Sequence, residues 1–458
     1  MGGWRCAAAR LATFWDPDAE RAAAGVGRVA LLAFGVLLAR RPSVLRSPQL
    51  WAEDGTVFFH DELVWGFRRA VLRPYAGYVL VTPRAVAGLL AFLPVRATAW
   101  CYAVFSLIVG AVACAWFARA EYRRVVSDDG TRAAMCLATA AVATGGEIIG
   151  NLCNVQWYLL WLGYLLILAP LPRGSWGKAG YVAAWWAIGL CTPGALALAP
   201  LWILRLILRP ARGERLCGAL CLLPSLLLVG LLDWPTIGAS QLQAPAATAG
   251  QMLHLLGWRV LGEAFVGEYD PLRLVKRFGT AVPAAAAGLI AVAAWVVVAR
   301  GTPRQRAWLV LSATALSVYA FMVVRGRPDI VVNWHHKGGG RFFVFPADFV
   351  VMLFVVCAGV LPWPRRLALA PVLAMLTVAS ALAFQYPALV DLHWSRFGAA
   401  LDAAMARRLT CDVAIPLNPP SPAWVLRLRL DRGRPAALPA DAAPAPVCPP
   451  APPRQARR

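Results

Sequence analysis

Glu53 and Asp54 stand side by side in the run Leu50-Trp51-Ala52-Glu53-Asp54-Gly55-Thr56-Val57-Phe58-Phe59-His60-Asp61-Glu62. A carboxylate set among aromatic and aliphatic neighbours is poorly solvated. Its basicity rises, and it can take a proton from a hydroxyl. The same oxygens could hold a divalent cation, the one cofactor these residues suggest. The plain structural alternative is that Asp54 opens a helix through Phe58 and Phe59 as its N-cap. Asp61 and Glu62 are expected to be solvated surface charge.

Three further groups could act with this pair. In Arg73-Pro74-Tyr75-Ala76-Gly77-Tyr78-Val79-Leu80-Val81-Thr82-Pro83-Arg84, the two tyrosines suit the headgroup level of a bilayer. Arg84 could pair with a phosphate or with Asp54, or extend its charged end to the interface. In Gly146-Glu147-Ile148-Ile149-Gly150-Asn151-Leu152-Cys153-Asn154-Val155-Gln156-Trp157, Asn154 and Gln156 could bond sugar hydroxyls, with Trp157 as a face for the ring. Helix–helix hydrogen bonding competes for the same amides. The last group, Arg325-Gly326-Arg327-Pro328-Asp329 and then Asn333-Trp334-His335-His336-Lys337-Gly338-Gly339-Gly340-Arg341, collects Arg325, His335, His336, Lys337 and Arg341. Such cations suit a phosphate, and glycines let backbone N–H groups come close to it. A basic loop near anionic headgroups is the competing use. Adjacent histidines diverge, so His335-His336 is a weak metal pair.

The elements that must position these groups are membrane helices. The chain has 458 residues, 60% hydrophobic and 15% charged, with a mean hydropathy of +0.60. Soluble domains are about 45–50% apolar and about 25% charged. Composition therefore excludes a cytosolic enzyme, a disordered protein and a disulfide scaffold. In a soluble protein the net charge of +22 would suggest nucleic acid. Cytoplasmic loops of membrane proteins collect Arg and Lys, which is the expected source of the excess here, and no nucleic-acid partner is expected.

An all-α polytopic fold follows, with about 11 transmembrane helices. Apolar runs lie near 23–39, 97–119, 133–146, 157–171, 179–191, 195–208, 216–232, 279–299, 307–324, 343–361 and 366–384. The stretch 79–94, broken by Pro83 and Arg84, is expected as an interfacial helix on the outer surface. Basic clusters then put the N-terminus (1–22) in the cytoplasm and the C-terminus outside the cytoplasmic membrane. The transmembrane domain is 23–384, with outer loops at 41–96, 145–156, 233–278 and 325–342. Residues 385–430 form an outer segment, followed by a Pro/Ala/Arg-rich disordered tail, 431–458. Cys411 and Cys448 could pair if that side is oxidising.

No Walker A, Rossmann, H-E-x-x-H or G-x-S-x-G motif stands on a suitable element. The runs Trp51-Ala52-Glu53-Asp54-Gly55, Tyr75-Ala76-Gly77-Tyr78, Pro83-Arg84, Asn151 to Trp157, Gly340-Arg341-Phe342-Phe343 and Cys411 to Pro419 resemble bacterial polytopic members of the GT-C glycosyltransferase superfamily. The resemblance spans about residues 24–420. It implies a GT-C-like fold and inverting transfer of a sugar from a polyprenyl-phosphate donor to a cell-envelope glycan or lipid, on the outer face of the membrane. It makes Asp54 the catalytic base or metal ligand, with Glu53 in reserve, and puts the leaving phosphate near Arg325–Arg341. A glycolipid flippase, which needs an anion site but no base, and a surface-polysaccharide polymerase or ligase are the rival functions.

Overall fold

In the computed structural model, the residues described are 8, 11–16, 25–142, 144–209, 211–232, 248–263, 277–332, 339–362, 374, 377–378, 381–382 and 384–438. The chain is mostly helical. Its main helices are α1 (Val26–Arg40), α2 (Val81–Leu90), α3 (Val95–Ala115), α4 (Asp129–Ala140), α5 (Val155–Leu168), α6 (Ser175–Gly189), α7 (Ala199–Leu208), α8 (Arg212–Gly230), α9 (Ala281–Arg300), α10 (Pro303–Gly326), α11 (Val344–Val360) and α12 (Trp394–Ala406). The apolar runs up to residue 361 are thus helical, while the last, 366–384, falls mostly outside the described residues.

Among the described residues five helices are long and apolar enough to cross a bilayer: Val95–Ala118, Arg212–Gly230, Ala281–Arg300, Pro303–Gly326 and Gly340–Val360. They divide by burial. The most apolar stretch is 72% buried in the last of these and 61% in the first, so both belong to the interior; in Ala281–Arg300 it is 22% buried. There Leu289, Val292, Trp295 and Val298 are exposed, and α8 exposes Leu216, Leu220, Leu223, Leu226 and Leu227. Apolar faces this extended need lipid rather than water beside them.

The helix α2 has ten residues. At 1.5 Å per residue it is about 15 Å long, half the hydrocarbon thickness, so it does not cross by itself. It is tied to the end of α6, where Val81 N–H donates to the Leu190 carbonyl at 2.9 Å and Thr82 Oγ1 to that of Ala187 at 2.6 Å.

The central strut is α5, buried almost all round. The last carbonyls of a helix lack partners within it. Here Tyr122 Oη donates to Leu165, Tyr181 Oη to Leu166, Trp15 Nε1 to Ile167, and Arg205 Nη1 to both Ile167 and Ala169, all at 2.7–2.9 Å. The guanidinium of Arg205 lies between the rings of Trp15 and Trp202. With one end held in this way, α5 presents its other end, at Asn154, as a fixed platform.

The fold departs from the all-α expectation at the C-terminus. Strands β1 (Cys411–Pro416), β2 (Val425–Asp431) and β3 (Arg434–Ala436) form an antiparallel sheet in that order. Cys411, Val413 and Ile415 alternate inward, as do Leu426, Leu428 and Leu430 across from them. This apolar face packs on residues 54–65. Ordered structure therefore runs past Leu430, because β3 completes the ladder, and the expected disorder from 431 is corrected to that extent. Cys411 is disulfide-bonded and the other described cysteines are free thiols, so the pairing expected with Cys448 lies outside the described residues.

Candidate functional site

The chain enters the site at the end of α1. Arg41 donates through Nη1 to the Ile149 carbonyl at 3.2 Å and lies against the rings of Trp51 and Tyr386. One buried side chain thereby joins the first loop to the turn at 147–154. On its other flank the loop is strapped to the C-terminal segment: Ala52 N–H donates to Asn418 O at 2.6 Å, and Asn418 N–H to Leu50 O at 3.2 Å. Gln49 adds a bond from Nε2 to Asp391 at 3.1 Å.

Asp54 starts a wide π-type turn, Asp54–Phe59, and does not cap it. Its side chain crosses instead to the platform before α5. Oδ2 accepts Leu152 N–H at 2.9 Å, and Oδ1 accepts Cys153 N–H at 2.7 Å. The carboxyl is 1% exposed. Burial pushes its pKa up to about 7, working against those two hydrogen bonds and helped by the nearby charge of Glu53. Glu53 is half-buried and the more accessible of the two; its Oε1 accepts the Tyr75 hydroxyl at 3.4 Å.

Tyr75 and Tyr78 flank a two-residue hairpin turn. Each donates its N–H to the other's carbonyl, at 2.8 and 3.1 Å, and the central residues Ala76 and Gly77 have φ of +52° and +86°. Both central residues of a type I′ turn need positive φ, which glycine meets freely and alanine only with strain. The turn sets the two phenols over Glu53 and Gln156. Burial raises the Tyr78 hydroxyl to about 12.

The late basic segment reaches the same place through Arg341. Its backbone N–H donates to Glu147 Oε1 at 2.8 Å and its Nη1 to Oε2 at 3.2 Å. Burial works against charge on this guanidinium, but Glu147, with Glu53 and Tyr78 further off, keeps its pKa above the usual arginine value. A quarter of the side chain (26%) stays accessible. Arg327 and Arg341 each lie within about 5 Å of the Phe342 ring, which meets Trp157 edge-on. Early acid and late base, Glu53–Asp54 and Arg341, are therefore on one side of the molecule.

Other expected site residues are placed differently. Arg84 does not meet Asp54. It is buried on α2 and donates through Nη1 to Asp61 Oδ2 at 3.0 Å. Asp61 is no solvated surface charge, because His60 and Arg73 also face it, at 3.2 and 3.3 Å, and it is 6% exposed. Burial alone would raise its pKa, yet His60, Arg84 and Arg73 hold it below the usual carboxylate range. Glu62 is partly buried as well, its Oε2 enclosed, and burial raises its pKa.

Asn154, Gln156 and Trp157 are buried and bonded locally: Trp157 Nε1 to Asn154 Oδ1 at 3.3 Å, and Gln156 Nε2 to Cys153 O at 3.2 Å. They build the platform on which Asp54 rests. Arg325 is exposed in the last turn of α10. His335, His336 and Lys337 lie outside the described residues.

Among the described residues no group of three or more His, Cys, Asp or Glu side chains gathers as for a metal ion. Of the carboxylate pair considered for a divalent cation, Asp54 has both oxygens on backbone N–H groups. Glu147 and Arg41 are the site residues the sequence reading did not select, although Glu147 is the sole carboxylate of its run. No protein-family model, no curated protein and no solved structure matches the chain.

Proposed function

We propose that this protein is a membrane glycosyltransferase of GT-C type. It moves a sugar, with inversion, from a polyprenyl-phosphate donor to a cell-envelope acceptor on the outer face of the inner membrane. In this reading about eleven segments cross, the N-terminus is cytoplasmic and the C-terminus is outside.

The observation that carries the reading is the meeting of Glu53–Asp54 with Arg341 around Tyr75, Tyr78 and Glu147. In the proposed step the acceptor hydroxyl gives its proton to the carboxylate pair. Glu53 is the member open to a substrate, and Asp54 keeps the platform in register with it. The freed oxygen forms a bond to the anomeric carbon. The bond from that carbon to the phosphate oxygen breaks, and its electron pair leaves with the polyprenyl phosphate. Arg341, clamped by Glu147, faces the growing negative charge, with Arg327 beside it; preorganised cations of this kind lower the barrier.

The orientation rests on the disulfide at Cys411. Its strand belongs to the sheet that packs on residues 54–65, and disulfides persist in oxidising compartments. Nucleotide sugars are cytoplasmic, so transfer on the outer face calls for a lipid-carried donor.

The test is reconstitution in proteoliposomes with a synthetic polyprenyl-phosphate sugar and envelope lipid or glycan acceptors. Release of polyprenyl phosphate is expected, abolished by Glu53→Gln and by Asp54→Asn while both variants still insert. Movement of intact donor across the bilayer without consumption would reject the transferase reading in favour of a flippase.

A further inference from the structure

Outside this site, two of the described non-glycine residues with positive φ are arginines, Arg408 and Arg432. Helix α12 lies across the start of the membrane-long helix α3: Asp402 accepts the N–H groups of Val95 and Arg96 at 2.9 and 3.4 Å. A Cβ on Gly398 would come within 2.7 Å of Arg96 Cα, so the two segments touch through backbone. The chain then leaves α12 through Arg407 and Arg408, and Arg408 takes φ of +54°. Against this bend folds the hairpin turn between β2 and β3, Arg432-Gly433, with φ of +48° and +78°. Gly433 N–H donates to Leu409 O at 2.8 Å.

The left-handed position after a helix and the first central place of a tight hairpin are where glycine or asparagine is favoured, since a Cβ crowds the following carbonyl. Here both places carry arginine, and local backbone preference does not explain either. Arg407, Arg408, Arg432 and Arg434 are all exposed. Between residues 394 and 436 the one exposed carboxylate is Asp431, because Asp402 is turned to α3 and Asp412 to Arg429. Beside this basic turn, Leu409 is 43% exposed. In the lead into α3, Leu89, Phe92 and Leu93 are 72%, 90% and 42% exposed.

We infer that Arg407, Arg408, Arg432 and Arg434 form a docking surface for anionic lipid headgroups of the leaflet that the start of α3 reaches. Arginine beside exposed Leu409, just past the end of a helix that crosses the start of a spanning helix whose lead-in exposes Phe92, matches the boundary of a bilayer, where phosphate and acyl chain lie next to each other. A water-borne polyanion would leave Phe92 and Leu409 without a partner. The inference does not depend on sugar transfer.

The experiment uses the full chain in nanodiscs of phosphatidylcholine with one-fifth phosphatidylglycerol, counting retained lipids by native mass spectrometry after release into detergent. The variant R407Q/R408G/R432N/R434Q is expected to lose about tenfold in phosphatidylglycerol retention with phosphatidylcholine unchanged. The pair R408G/R432N places favoured residues at the left-handed positions. It is expected to melt no lower than the parent while losing a large part of the phosphatidylglycerol, which separates lost binding from lost folding. Unchanged phosphatidylglycerol retention in the fourfold variant overturns the inference. So does loss of heparin binding with lipid retention intact, which would assign the surface to a soluble polyanion.

Discussion

Glu147 accepts two hydrogen bonds from Arg341, 194 residues further along the chain, one from its backbone and one from its guanidinium. The ion pair fixes the backbone of the late basic segment as well as its charge, so Arg341 cannot swing away as a surface arginine would. Replacing Glu147 by Gln leaves one acceptor where two donors converge and turns an amide N–H₂ toward a donor. A charge-assisted bond of this kind contributes about 1.5–3 kcal/mol. Glu147→Gln is expected to lower the melting temperature accordingly and to reduce turnover about ten- to a hundredfold through misplacement of Arg341. Equal turnover in the variant and the parent, by the proteoliposome assay, would remove the Glu147 clamp on Arg341 from the proposed mechanism.

Asp54 makes stability depend on pH. Its carboxyl titrates near 7 in the folded chain and near 3.8 when free of burial. Between those values the folded form holds the proton more tightly than the unfolded form. Stability therefore falls as pH rises from about 4 to about 7 and is level above, by at most about 4 kcal/mol. Asp54→Asn should lack this slope. It should also melt lower than the parent at pH 8, since its amide N–H₂ must face a backbone N–H. Melting curves in detergent at pH 5 and pH 8 check both points, and parallel profiles for parent and variant would show that Asp54 does not titrate in this window.

Gly55 has no room for a side chain. A Cβ there would lie 2.4 Å from Leu417 Cδ1, where the C-terminal segment crosses the acidic loop. Gly55→Ala must push Leu417 out of its buried position and loosen the strap formed by Ala52 and Asn418. Overpacking of this sort costs about 1–3 kcal/mol. Leu417→Ala should recover much of that loss in the double variant, although alone it leaves a cavity. Thermal melting of the two single variants and the double gives the coupling; strictly additive losses would mean that the two positions do not meet.

The long helices were legible because each depends on local pattern, the apolar runs that became α3, α8, α9, α10 and α11. The sheet was legible in principle too. Val425-Leu426-Arg427-Leu428-Arg429-Leu430 alternates with period two, as a strand with one buried face must. The run falls within the outer segment 385–430, to which the sequence reading assigns no strand, and the Pro/Ala/Arg-rich stretch after it puts the expected disorder at 431. Partner choice was not legible. Arg84 could face Asp54 or Asp61 on charge alone, and the wide turn from Asp54 to Phe59 decides between them by pointing Asp54 toward Leu152 and leaving Asp61 on the side of α2. Likewise, nothing local says that Asp54 is to be satisfied by backbone N–H groups a hundred residues away.

That choice of partner supplies the sharpest test of the packing. Arg84 is buried, its Nη1 bonded to Asp61, while its Nε and Nη2 find no hydrogen-bond partner among the described residues. Asp61 is thus the carboxylate hydrogen-bonded to this cation; Glu62 attracts it without a hydrogen bond, and the face of Phe58 lies 5.5 Å from it. Arg73, the second arginine on Asp61, is 46% exposed and can turn into water. Asp61→Asn therefore strands Arg84 rather than Arg73, and an uncompensated buried charge costs about 3–5 kcal/mol. A buried pair replaced as a whole by apolar groups loses far less, because both desolvation penalties vanish together. Asp61→Leu with Arg84→Met should consequently melt well above Asp61→Asn, despite carrying one more substitution. If the double variant is the less stable, Arg84 is held by something other than Asp61, and the charge balance assigned to α2 is wrong.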